Sequence, residues 1–125
     1  MHERKLHNLL ALGPEERLDY FVRKLVDFEQ AWGLYDSGWA TSACDTGEAV
    51  PFWAEAALAE SCATGAWAGF SARPIALDEF RGRWLPGLQA DNRACQVFPV
   101  PTHPGVFISP DDLAGLIHDE LDQYQ

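Results

Sequence analysis

Residues 13–41 read GPEERLDYFVRKLVDFEQAWGLYDSGWAT, and this stretch decides the fold class. Gly13-Pro14-Glu15-Glu16 has the marks of a helix start. Proline sits where its missing N–H costs nothing, and the two acids lie beside the positive end of the helix dipole. Leu18, Phe21, Val22, Leu25 and Val26 then recur at helical spacing, with Arg23 and Lys24 towards the other end. The spacing predicts a helix over 14–29 whose apolar stripe faces a sheet. The pattern then changes at once. Trp32-Gly33-Leu34-Tyr35 and Trp39-Ala40-Thr41 flank Asp36-Ser37-Gly38. Short aromatic runs around a glycine turn predict a β-hairpin, with Trp32 and Trp39 stacked across it.

Working outward, Asp45-Thr46-Gly47 is a second turn that leads into a third strand at 49–52. Ala54, Ala57, Leu58, Ser61 and Cys62 mark one face of a helix over 54–64, with Gly65 placed to end it in a left-handed conformation. Residues 67–75 read as irregular or as a short edge strand. Residues 77–85 read as another helix, with Phe80 and Trp84 a turn apart and Pro86-Gly87 as its stop. Strands at 95–98 and 106–108 are joined by a loop holding Pro99, Pro101 and Pro104. Ser109 as N-cap, Pro110 and an acid at the third position open a last helix over 110–122. Leu113, Leu116, Ile117 and Leu121 form its expected buried face. Leu6, Leu9 and Leu10 suggest a short amphipathic helix or an extension within 1–13. The expectation is one domain over 1–125 with its core at 14–122. Its class is α+β: a single mainly antiparallel sheet of about five strands packed with three to four helices.

At 125 residues and 47% hydrophobic composition, the chain can bury roughly two thirds of its unfolded surface in one core. Nine Lys+Arg against 19 Asp+Glu give a formal net charge of -10. Such acidity argues against nucleic acid and against anionic membranes, both of which are met with cations. Glu3, His7 and Asn8 interrupt the amino-terminal leucines, so no signal peptide is expected, and no apolar run approaches a membrane span. A cytoplasmic protein is the expectation. Cys44, Cys62 and Cys95 are odd in number and far apart, so reduced thiols are expected, without disulfide, metal or cofactor.

A resemblance joins these observations. Trp32-Gly33-Leu34-Tyr35-Asp36-x-Gly38-Trp39, then Pro51-x-Trp53, Trp84-Leu85-Pro86-Gly87-Leu88, Val97-Phe98-Pro99 and Ser109-Pro110-Asp111 follow one another in order. Together they resemble the bacterial domain of unknown function 2750 family, from about Glu15 to Leu121. The resemblance implies a stand-alone bacterial domain and carries over no activity, cofactor or catalytic residue. One departure is Asp91-Asn92-Arg93 where Asp-Gly is expected; asparagine tolerates the left-handed conformation such a turn needs.

Candidate functional residues fall into two groups. Charge is the first: residues 31–70 hold five acids and no Lys or Arg, and residues 94–125 repeat that count. Asp111, Asp112, Asp119 and Glu120 on the last helix, with Asp36 on the first hairpin, would make an anionic face able to steer a basic protein partner. The plainer reading is ordinary solvation. Aromatic residues form the second group: Trp39, Trp53 and Trp84, with His103 in the proline loop, would line a ligand or enzymatic cleft. Their plainer reading is core. A Cys95–His103 nucleophilic pair is conceivable, but no catalytic motif accompanies it. The leading expectation is a non-catalytic interaction module, an immunity-like inhibitor being one version, with the aromatic cleft as the alternative.

Overall fold

The computed structural model describes residues 2–123; Met1, Tyr124 and Gln125, at the ends of the expected domain, lie outside the described residues. The element order is α1 (Glu3–Leu10), α2 (Pro14–Phe28), β1 (Gln30–Tyr35), β2 (Ser42–Cys44), β3 (Gly47–Phe52), α3 (Ala56–Glu60) and β4 (Ser71–Ala76). Then come α4 (Leu77–Glu79), a π turn (Phe80–Trp84), α5 (Leu85–Ala90), β5 (Ala94–Val97), β6 (Val106–Ile108) and α6 (Pro110–Gln123). The class is α+β, as expected. The single sheet is not.

Two sheets replace it: β1 pairs with β4, and β2-β3-β5-β6 form a second, four-stranded sheet. All pairs are antiparallel except β3–β5, which is parallel. The sheets meet at one seam, where Trp32 and Trp53 exchange both backbone hydrogen bonds at 2.8 Å. The expected hairpin at 32–41 is cut short because Trp53 takes the edge of β1 along which the return strand would run, while β4 takes the opposite edge. After the turn Trp39 bridges Tyr35 and the Ala40 N–H donates to the Leu34 carbonyl at 2.8 Å. The Trp39 ring packs against Gly33, where an added Cβ would stand 2.9 Å from the indole. Pro74 inside β4 is compatible with the edge of a sheet, where a missing donor faces outward.

Two helix ends also differ from expectation. The helix expected over 54–64 stops at Glu60, since the Ser61 hydroxyl donates to the Leu58 carbonyl at 2.6 Å and competes for a helical acceptor. Pro86-Gly87 does not stop the next one. Leu85 donates its N–H to Phe80 across a π turn, and this wider turn accommodates the proline's missing donor as the chain continues to Ala90.

The stripes of α2 and α6 close the core: Phe21, Leu25, Leu113 and Ile117 are fully buried. Leu116, expected with them, is 38% exposed because it lies off the buried arc. The two helices pack on each other and on β5, beside the sheet face that carries Val50, Phe52, Cys95 and Val97. The Ser109 hydroxyl accepts the Asp112 N–H at 3.1 Å, the cap the sequence predicts. Asn92 adopts the expected left-handed conformation at φ 58.

The proline loop after β5 is tied down. Phe98 is fully buried at φ 53, a region that costs a bulky side chain about 1–2 kcal/mol. The Pro99 carbonyl accepts the Trp53 indole N–H at 2.8 Å and the Cys62 thiol at 3.2 Å. Gly105 closes the loop at φ 78, where a Cβ would meet the Val97 carbonyl at 2.4 Å.

Candidate functional site

The acidic face is built by α6. At about 100° per residue, Asp111, Asp112, Asp119 and Asp122 share an arc of about 100°, opposite the buried Leu113 and Ile117. Asp111, Asp112 and Asp119 are exposed, whereas Glu120 is half-buried and lies about 80° beyond the arc, beside the buried Leu113. Among the described residues no Lys or Arg lies within ion-pair distance of these four; Asp122 faces the His118 imidazole at 3.5 Å. Asp36 stands apart from them, on the exposed turn after β1 in the other sheet.

The aromatic residues do not assemble into one cleft. Trp53 is fully buried, with its indole N–H held by Pro99, so it offers no surface to a ligand. Trp39 and Trp84 do meet, edge to face at 4.7 Å, and both are half-buried. Trp39 packs on Tyr35 at 5.2 Å rather than across the turn on Trp32, and the Arg73 guanidinium covers the Tyr35 ring at 3.9 Å.

His103 is engaged by a residue the sequence reading passed over. Its Nδ1 accepts the Gly105 N–H at 3.1 Å and lies 2.8 Å from Nη2 of Arg17, so the ring proton sits on Nε2. Arg17 is buried, donates also to the Leu12 carbonyl, and keeps a buried Nε with no partner. Burial lowers its pKa from the ordinary value. Its position was legible: Arg17 precedes Phe21 by one helical turn and so shares the buried stripe of α2. His103→Ala should lower unfolding free energy by about 1 kcal/mol, since the Arg17 fork loses an acceptor that water only partly replaces. Arg17→Met should leave stability level or raise it, because a buried cation without a carboxylate is removed. In urea titrations the double variant should therefore recover what His103→Ala loses; full additivity would mean the two side chains do not interact.

A groove of about 840 Å³ opens between β2, β6 and the start of α6. Ala43, Cys44, Ala94, Pro104, Phe107 and Pro110 supply its apolar lining, and Phe107 is 41% exposed. The alternation Val106-Phe107-Ile108 turns Phe107 away from the core face, a signal the sequence held but which needs the sheet register to interpret.

The thiols differ sharply. Cys95 is fully buried on the core face and its pKa is pushed up to about 12 by desolvation. It is therefore no partner for the exposed His103. Burial also raises the Cys62 thiol. Cys44 is half-buried at the groove. N-phenylmaleimide should thus modify the native protein once, at Cys44, and the urea-unfolded protein at all three cysteines, as read by intact mass. Rapid native modification at Cys62 or Cys95 would contradict the packing described.

Among the described residues no helix is long and apolar enough to cross a membrane. No curated protein and no solved structure matches the chain. A family model described as Protein of unknown function (DUF2750) matches residues 18–117, from the body of α2, across both sheets, to the buried Ile117 of α6. The match takes in the tryptophan blocks and the proline loop alike, and the chain belongs to this family.

Proposed function

We propose that this chain is a non-catalytic, bacterial cytoplasmic interaction domain that docks a basic protein partner on the outer arc of α6. An immunity-like inhibitor is the narrower form of this reading. The observation that carries it is the set of exposed aspartates on that arc, uncompensated by any cation of the described chain within ion-pair distance. Such a surface raises the encounter rate with a cationic partner and disfavours acidic ones. The test is binding of a fluorescent lysine-rich peptide, followed by anisotropy. Binding is expected to weaken with added salt and to fall in an Asp111→Lys/Asp119→Lys variant. Equal binding by both proteins would remove the α6 arc from the reading.

A further inference from the structure

We infer that the groove between β2, β6 and the start of α6 receives an apolar side chain of the same basic partner, whose lysines or arginines then lie over Asp111 and Asp112. The inference rests on the interaction reading above and specifies the chemistry of the partner: a cationic segment carrying an apolar anchor.

The groove and the acidic arc are continuous. Ser109 and Pro110, which line the groove, are the cap and first residue of α6, and Asp111 and Asp112 follow directly. Gln89, also in the lining, accepts the Asp111 N–H at 3.1 Å and ties the two surfaces together. Asp45 adds a carboxylate at the β2 end of the groove, and the cation there, Arg93, is engaged by Glu48 at 3.3 Å. A cationic segment is therefore met by acids at both ends.

The inside of the groove suits an apolar group. Gln96, on the same sheet face as Phe107, is buried and satisfied: its amide oxygen accepts from Ser42 at 2.6 Å and its nitrogen donates to Pro104 at 2.8 Å. Thr46 and Cys44 lie 3.4 Å apart within hydrogen-bond reach, and the Ser109 hydroxyl serves the helix cap. An entering hydrocarbon strands none of these groups. Phe107 and the exposed Pro104 ring offer contact area of the kind an anchor uses, with the aspartates as a charged rim.

Three fluorescent peptides of equal length test this at low salt: lysine with serine, lysine with leucine and tryptophan, and serine with the same leucine and tryptophan. The lysine–apolar peptide is expected to bind about tenfold tighter than the lysine–serine peptide, the gain of one modest anchor. Modifying Cys44 with N-phenylmaleimide should erase that gain while leaving the lysine–serine peptide unchanged. A Cys44→Ser variant treated alike should keep the gain. If the lysine–apolar peptide gains nothing, or the adduct has no effect, the groove inference is overturned and the acidic arc stands. If neither lysine peptide binds, both readings fall. If the serine–apolar peptide matches the lysine–apolar one, the charged rim is excluded from the site.

Discussion

Truncating Leu25 to alanine is expected to lower the unfolding free energy by about 2–5 kcal/mol, the range for a buried leucine whose cavity collapses only partly. Leu25 is fully buried in the stripe of α2 that faces α6 and the sheets. A domain of this size has about 5–15 kcal/mol of stability in total, so the loss removes a large share of it. Leu116→Ala is the matched control. Leu116 belongs to the other long helix but is 38% exposed, so its truncation removes less apolar burial and leaves no closed cavity. Urea midpoints should shift strongly for Leu25→Ala and by a small fraction of that for Leu116→Ala, with slopes unchanged. Equal shifts would contradict the packing of α2 and α6 around one core.

These residues also mark what could be read in advance. The stripe of α2, the Ser109 cap, the β2–β3 turn and the left-handed Asn92 all depend on neighbours within a few residues, and each is found where local chemistry puts it. What depends on distant partners was not legible. The ladder of β1 is completed by residues 71–76. The sequence leaves 67–75 open between irregular chain and a short edge strand; the edge strand is what forms, and its pairing with β1 is what local pattern does not give. On the other edge of β1 Trp53 takes the place of a return strand, so the hairpin ends after Ala40 and Trp39 packs on Gly33. The parallel β3–β5 pairing likewise needs the intervening α3–β4–α5 segment to return the chain in the same direction. The candidate sites divide in the same way. The acidic arc of α6 follows from helical spacing alone, whereas the cleft of Trp39, Trp53 and Trp84 required a spatial meeting that only Trp39 and Trp84 make. Arg17 was passed over although its helical position places it in the stripe, because its charge argues for exposure, and the groove was missed because a three-residue edge strand carries a weak local signal.

Reversing Asp111 and Asp119 to lysine should slow association with a cationic partner by about tenfold at low salt, with a smaller effect near ~0.15 M, where charges are screened beyond ~8 Å. Both side chains are exposed on one arc of α6, so the loss reflects steering rather than a broken core. Their consequences for folding differ, and this separates the two. Asp111 lies in the first turn of α6, where a carboxylate favours the positive end of the helix dipole; a lysine there forfeits about 0.3–1 kcal/mol. Asp119 lies in the latter half of the helix, where a cation relieves crowding with Asp122 and Glu120 and suits the negative end. Asp111→Lys should thus lose a little stability and Asp119→Lys gain a little, while both slow association. Stopped-flow measurements over a salt series give the discriminating quantity, the slope of log rate against ionic strength. A flattened slope in both single variants, greater in the double, is the signature of an electrostatic docking face. Unchanged slopes with slower dissociation confined to groove variants would move the recognition energy from the arc of α6 to the apolar surface around Phe107.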